Sequence, residues 1–196
     1  MLSQRQEQIV DESIKIIDEK GIQGLTIKNL SKAIGISEPG IYRHFESKTE
    51  ILLSILNNFK EMAEMLSGLM QDFDGTAIEK IEFMFSRMLD LFSATPSLVS
   101  VIFSEEIFKN EELLKQKITG VMNMHATTIE HIIEKGQDGN DVRKDIDIKT
   151  LALIIMGSLR LLVKRWDMNN HNFELDKEGS RLIQGLDKIL KCPDNN

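Results

Sequence analysis

Four side chains that can bind phosphate lie within one short stretch, from Tyr42 to Lys48. Tyr42 and His44 can donate hydrogen bonds without a full charge, and Arg43 and Lys48 are cations. Lys48 also stands at the first position of a predicted helix, where free N–H groups and the helix dipole favour an anion. These groups suit the phosphates of a nucleic acid, which dominate the affinity of proteins for DNA. The stretch therefore predicts a surface that contacts DNA.

The charge of the whole chain argues against such a partner, so the distribution of charge matters. The 196 residues include 24 basic and 31 acidic side chains, a formal net charge of −7. Residues 26–48 contain four basic and two acidic side chains and are mildly basic, whereas residues 49–196 are acidic. Binding to a polyanion follows the local patch rather than the net charge. A small DNA-binding surface is therefore compatible with this acidic chain.

The composition argues against several other classes of protein. Cys192 is the one cysteine, so no disulfide can form within the chain, which fits a reducing compartment. The N-terminal residues contain no apolar run typical of a secretory signal. The longest uncharged apolar stretch, 150–159, is much shorter than the roughly twenty residues that a membrane span needs. We expect a soluble, cytoplasmic protein with no membrane partner.

Helix-capping signals and apolar residues at helical spacing recur along the chain, and no alternating β pattern stands out. Three helices begin with a capping pair: Ser3 with Gln6, Ser47 with Glu50, and Thr76 with Glu79. Later helices are predicted from about 110 to 135, 147 to 166 and 176 to 191, with a loop at 136–140. The sequence therefore predicts an all-α fold.

Residues 26–45 are typical of a helix-turn-helix. Thr26 caps a short helix that ends at Gly35, a residue that adopts positive φ at no steric cost, and Ser37 caps the next helix. Early residues of such a second helix contact base edges, and the flanking residues contact phosphates. Plain packing with a solvated edge is the alternative for residues 42–45. The candidate DNA-binding residues are Thr26, Lys28, Ser37, Glu38, Pro39, Gly40, Tyr42, Arg43, His44 and Lys48.

Residues 25–52, LTIKNLSKAIGISEPGIYRHFESKTEIL, resemble the N-terminal signature of the TetR family of one-component transcription regulators. The matching elements are L-T before the second helix, G-I-S at the turn, I-Y-R-H-F, and S-K-x-E-I-L at the start of the fourth helix. Ser31 replaces a common alanine, and Gly40 adds a flexible residue to the second helix of the motif. The resemblance implies a three-helix DNA-binding domain, 1–48, which a long fourth helix joins to a helical effector-binding and dimerisation domain, 49–196.

The resemblance also implies a homodimer in which the last two helices of each copy form a four-helix bundle. The residues agree independently, because the helix between 148 and 163 is apolar on nearly every side and must be covered on every side. Gly157 and Ser158 permit close approach of a partner. Burial within one monomer is the alternative. The candidate interface residues are Leu151, Ile155, Gly157, Ser158, Leu159, Leu162, Trp166, Leu182, Ile183, Leu186 and Ile189.

The effector implied by the resemblance is harder to define. Phenylalanine and methionine side chains form an adaptable interior that suits an apolar or aromatic molecule, although at helical spacing they more often form an ordinary core. His125 could bind a ligand or be a core histidine, and Arg160 could bind a carboxylate. The candidate pocket residues are Phe59, Met62, Met65, Phe85, Met88, Phe92, Phe103, Met122, His125 and Arg160.

We expect a ligand-responsive regulator of transcription, a repressor that a small apolar or amphipathic effector releases from a palindromic double-stranded DNA operator. The alternative is a DNA-binding protein of the same build whose partner is a protein and whose DNA affinity is indifferent to small molecules. We do not expect an enzyme, because no nucleophile–base pair or phosphate loop supports one. His131, His171 and Cys192 lack metal-ligand spacing, so we expect neither a metal nor a cofactor.

Overall fold

The computed structural model describes residues 2–104 and 111–191. These residues form helices and turns without a β-strand, so the predicted all-α fold is confirmed. No helix within them is both long enough and apolar enough to cross a membrane. The predicted helix start near Asn110, and Cys192, lie outside the described residues. The helices are α1 (Gln4–Gly24), α2 (Ile27–Ile34), α3 (Glu38–Tyr42), α4 (Lys48–Asp72), α5 (Ala77–Ala94), α6 (Ser97–Ile102), α7 (Glu112–Asp138), α8 (Ile148–Met168) and α9 (Leu175–Leu190).

Reciprocal side-chain caps start two of these helices. At α1, Ser3 Oγ accepts a hydrogen bond from the Gln6 N–H at 3.3 Å, and Gln6 Oε1 accepts one from the Ser3 N–H at 3.0 Å. Thr76 and Glu79 form the same arrangement before α5. Each pair satisfies two N–H groups that a helix start leaves without an internal partner. Two of the three capping boxes predicted from the sequence are confirmed.

The first of two compact units comprises residues 2–62, 96–104 and 111–121 of the described chain. In this unit α1 packs against α2 and α6, and α2 packs against α3. Asp18 ties α1 to α6, because its carboxylate accepts hydrogen bonds from Ser97 Oγ at 3.1 Å and Ser100 Oγ at 2.7 Å. The core residues that are completely buried include Ile9, Leu30, Ile41 and Ile51. This core supports α2 and α3 from behind.

The second unit comprises residues 63–95 and 122–191. Here α9 packs against α5 and α8. The contact between α5 and α9 is close, because a Cβ added to Gly179 would stand 2.2 Å from Leu89 Cδ1. The completely buried residues of this core include Ile133, Val142, Leu151 and Ile155. The unit is therefore a helical layer structure with its own apolar core.

The helices α4 and α7 each run from the first unit into the second without interruption. Each compact unit therefore consists of separate segments of the chain, and no single position in the sequence divides one unit from the other. The domain boundary between residues 48 and 49 remains a prediction.

Candidate nucleic-acid interface

Gly35 forms the turn between α2 and α3. Its backbone is left-handed, with φ 76° and ψ 31°. The N–H groups of Gly35 and Ile36 both donate to the carbonyl oxygen of Ser31 at 3.0 Å, which closes the last turn of α2. A Cβ added at Gly35 would meet nothing within 4 Å, so backbone conformation and not space favours glycine here. The turn lies where the sequence predicts it.

The short helix α3 presents its polar side to solvent. Ser37 caps it, since Ser37 Oγ accepts a hydrogen bond from the Gly40 N–H at 3.3 Å. Ile41 is completely buried on the opposite side and anchors the helix to the core. The exposed side chains are Glu38, Pro39, Tyr42 and Arg43. Four of the predicted DNA-binding side chains thus share one accessible surface.

Thr26 and Lys28 lie at the start of α2, and both are exposed. Thr26 Oγ1 accepts a hydrogen bond from the Asn29 N–H at 3.1 Å, and a hydroxyl that accepts can still donate its own proton. Gly40 differs from them, because a Cβ added there would point toward Ile36, with Cδ1 at 3.5 Å. Thr26 and Lys28 are therefore accessible to a ligand, whereas Gly40 faces the turn.

Lys48 and His44 connect this surface to α1. Lys48 Nζ donates a hydrogen bond to the carbonyl oxygen of Ile22 at 2.7 Å, and the His44 carbonyl oxygen accepts one from Gln6 Nε2 at 3.3 Å. Both residues are half-buried. Because an ammonium carries three donors, the bond to Ile22 does not by itself prevent Lys48 from contacting a phosphate. The sequence analysis did not anticipate this bond, since no local signal marks it.

The start of α4 departs in one detail from the predicted capping box. Ser47 Oγ accepts a hydrogen bond from the Glu50 N–H at 3.2 Å, as expected. The Glu50 carboxylate, however, accepts from the N–H of Glu46 instead of the N–H of Ser47. The cap therefore reaches one residue further back and holds the segment between α3 and α4.

The predicted interface residues of α8 and α9 separate into three groups by exposure. Leu151, Ile155, Trp166 and Leu186 are buried within the second unit, whereas Gly157 and Ile189 are exposed. The others are half-buried: Ser158, Leu159, Leu162, Leu182 and Ile183. Sequence reasoning omitted four exposed apolar residues of α8: Leu153, Ile154, Leu161 and Met168. Because α8 is apolar on nearly every side, its sequence predicts that every side is covered. The pattern does not indicate which side packs against its own unit.

The predicted pocket residues are divided between the two units. Phe59 and Phe103 belong to the first unit with Met62, and the other seven belong to the second. The side chains of Phe59, Phe85 and Phe92 are buried, and those of Met88, Phe103 and His125 are half-buried. Met62, Met65, Met122 and Arg160 are exposed. Burial lowers the pKa of His125 below its ordinary value, so its neutral form is favoured.

Comparison with known proteins extends the resemblance to most of the chain. The model for bacterial regulatory proteins of the tetR family matches residues 9–55. The model for the C-terminal region of YsiA-like protein matches residues 57–186, which is more than half of the chain. The first of these models is described as one of regulatory proteins.

Individual relatives agree with these matches. The fatty acid metabolism regulator protein of Bacillus subtilis is 25% identical over 171 residues, covering 86% of this chain and 86% of that protein. The probable acrEF/envCD operon repressor of Escherichia coli is 22% identical over 200 residues, covering 100% of this chain and 90% of the repressor.

A solved structure shares the fold. The transcriptional regulator FadR from Bacillus subtilis, in complex with stearoyl-CoA, superposes with a TM-score of 0.78 at 22% identity, covering 92% of this chain and 96% of FadR. An N-terminal helix-turn-helix followed by a helical C-terminal domain is therefore the architecture of this chain. The chain belongs to the TetR family of bacterial transcription regulators.

Proposed function

We propose that this chain is a ligand-responsive repressor that binds a palindromic operator as a homodimer. The observation that carries the proposal is the accessible surface of α3, where Tyr42 and Arg43 are exposed and Ile41 is buried behind them. A helix presented in this way can enter a major groove. Lys28 and Lys48 would contact phosphates, which position the protein without reading sequence. The Escherichia coli relative, named as an operon repressor, supports repression.

The apolar face that α8 leaves exposed supports the homodimer. Leu153 is 73% exposed and Leu161 is 62% exposed, and Ile154, Gly157 and Met168 fall on the same side of the helix. A Cβ added at Gly157 would meet nothing within 4 Å, so this face is open at its middle. Several exposed apolar side chains on one side of a helix are typical of an interaction site. We propose that α8 and α9 of two copies pair through this face, which places two DNA-binding heads on two half-sites.

We infer that the effector is a long-chain acyl thioester of coenzyme A. The Bacillus subtilis relative is named for fatty acid metabolism, and the FadR structure contains stearoyl-CoA. Phe85 and Phe92 are buried in the second unit and provide an apolar environment of the kind that an acyl chain needs. Release from DNA requires only that the effector bind the non-binding conformation more tightly than the DNA-binding one.

The test measures whether stearoyl-CoA lowers the affinity of the protein for a DNA sequence that the protein itself selects from genomic fragments. Genomic fragments retained by the purified protein at low ionic strength would be footprinted and labelled for fluorescence anisotropy. We expect a protected palindrome and a DNA affinity that falls at least tenfold in stearoyl-CoA, with coenzyme A as the control. An unchanged DNA affinity in saturating stearoyl-CoA would contradict this effector class. Failure of folded protein to retain any fragment would contradict the repressor itself.

A protein partner in place of a small molecule is the second candidate. It is favoured by exposed apolar side chains of α4 in the second unit, Met65 at 67% and Leu69 at 50%. Methionine surfaces adapt readily to varied partners. Under this candidate, DNA binding is insensitive to acyl thioesters, and Leu69→Lys abolishes a co-purifying protein contact. Under the repressor proposal, Leu69→Lys leaves release by stearoyl-CoA unchanged.

A further inference from the structure

A groove of about 950 Å³ lies in the second unit, between the end of α4, the start of α5 and the second half of α7. This volume is at the upper end of the range of small-molecule sites, roughly 300–1,000 Å³. Met70, Ala77 and Ile132 line it and are buried, which gives it an apolar floor. None of its lining residues is in the list of candidate pocket residues given in the sequence analysis.

Two lysines line the same groove. Lys80 is half-buried and Lys135 is exposed, and neither forms an ion pair with any residue that the structure describes. Lys135 lies in the last turn of α7, where the helix dipole favours a cation. Lys80 lies at the start of α5, where the dipole disfavours one. An anion bound in the groove would offset the unfavourable interaction between Lys80 and the dipole of α5.

Asp141 is the acidic residue in the groove wall, and one of its two carboxylate oxygens has a hydrogen-bond partner. Asp141 Oδ2 accepts a hydrogen bond from the Ala77 N–H at 2.8 Å, so its charge is held against the positive end of α5. The wall beside it is closely packed, because a Cβ added to Gly136 would stand 2.5 Å from Ala77 Cβ and 2.5 Å from Val142 Cγ2. Asp141 Oδ1 is buried without a hydrogen-bond partner among the described residues, so the carboxylate also contributes to the charge of the groove. Lys80 and Lys135 together exceed this single negative charge, and the groove keeps a net positive lining.

The hydroxyl groups of the groove differ in their availability. Ser67 Oγ and Thr128 Oγ1 are 2.8 Å apart, and Thr128 Oγ1 also donates to the Met124 carbonyl oxygen at 3.0 Å. Thr127 lines the groove, is exposed, and makes no side-chain hydrogen bond with the described residues. It can therefore donate to a ligand oxygen.

We propose that this groove binds the phosphate-bearing head of an amphipathic ligand, with Lys80, Lys135 and Thr127 on phosphate oxygens and the apolar floor against uncharged atoms of the ligand. The inference rests on the proposed function, because it gives the phosphates of an acyl-CoA effector a defined place. A carboxylate head, such as that of a free fatty acid, carries one negative charge and therefore gains less from two lysines than a head with several phosphate charges.

The test compares three ligands by calorimetry on the full-length protein: stearoyl-CoA, coenzyme A and stearate. The variant is K80Q/K135Q, and the control is K144Q/K149Q, which removes the same charge at two exposed lysines of the same unit outside the groove. We expect K80Q/K135Q to bind stearoyl-CoA at least tenfold more weakly, with a smaller salt dependence, and coenzyme A to lose affinity in parallel. Stearate affinity and the control variant should match wild type, and circular dichroism should be unchanged.

The outcomes separate the two proposals. Equal affinity of stearoyl-CoA for wild type and K80Q/K135Q would contradict the proposal that this groove binds the phosphate-bearing head. It would not contradict the effector class. An equal loss for stearate would overturn the assignment of a phosphate head. Absence of stearoyl-CoA binding to wild type would overturn the effector class and the groove together.

Discussion

Lys48 Nζ lies 2.7 Å from the carbonyl oxygen of Ile22 and joins the first residue of α4 to the segment that ends α1. The two residues are 26 positions apart in the chain. The bond holds the ammonium group at the N-terminus of α4, where the helix dipole also favours an anion. One lysine can therefore both fix the base of the helix-turn-helix and attract a phosphate.

Lys48→Gln should weaken binding to every DNA sequence and flatten the plot of log affinity against log salt by about one unit. It should also lower the free energy of unfolding by about 1–2 kcal/mol, because a hydrogen bond from a charged donor is lost. Anisotropy titrations in a salt series and urea denaturation measure the two effects.

Lys20→Gln is the matched control for this change, since Lys20 is an exposed cation of α1 outside the predicted DNA surface. Its salt slope and stability should equal those of wild type. A wild-type salt slope for the Lys48 variant would contradict the prediction that Lys48 contacts DNA.

Gly35→Ala should destabilise the protein by about 1 kcal/mol, because alanine in the left-handed region brings its Cβ too close to the next carbonyl oxygen. Gly68→Ala is the control: Gly68 lies inside α4, a Cβ added there also meets nothing within 4 Å, and its φ is not positive. That change should stabilise the helix by roughly 0.5–1 kcal/mol. Denaturation midpoints that moved in the same direction would contradict a conformational role for Gly35.

Leu161→Glu should convert the proposed homodimer into a monomer with an intact fold, because a charge would enter the centre of the apolar face of α8. Leu113→Glu, on α7, changes a side chain of similar exposure, 61% against 62%, and should leave the dimer unchanged. Light scattering after size exclusion gives the mass of each variant. A wild-type protein that is monomeric at micromolar concentration would contradict the proposed dimer interface.

His125 should make the protein less stable in acid. Burial lowers the pKa of the folded-state imidazole, whereas the unfolded chain has the ordinary value of about 6.5. As the pH falls below about 6.5, the unfolded state binds the proton first, so the free energy of unfolding declines until the pH passes the lowered folded pKa.

Urea denaturation of His125→Gln across this pH range should therefore give a flatter profile than wild type. The control is His131→Gln, which removes an exposed histidine of the same helix and should keep the wild-type slope. Parallel profiles for wild type and His125→Gln would contradict the desolvation of His125.

Local sequence was sufficient to predict most helix boundaries, because caps act over three or four residues. Ser3, Thr26 and Thr76 accept N–H groups from their own first turns, and Gly35 ends α2 through its own left-handed backbone. The exposed surface of α3 was predictable for the same reason, since Ser37 sets its start and apolar spacing sets its buried side. The helix-turn-helix thus follows from interactions between near neighbours.

Contacts between distant residues could not be predicted in this way. Nothing local indicates that Lys48 reaches Ile22, or that Lys80 and Lys135 line one groove. Leu151 and Leu153 are equally apolar, yet packing against the second unit buries the first and leaves the second exposed. The sequence determined which segments are helices and which of them we expect to meet DNA, because those signals are local. Tertiary packing alone decided which face of α8 stays open and where a cationic groove forms, because both depend on residues that only folding brings together.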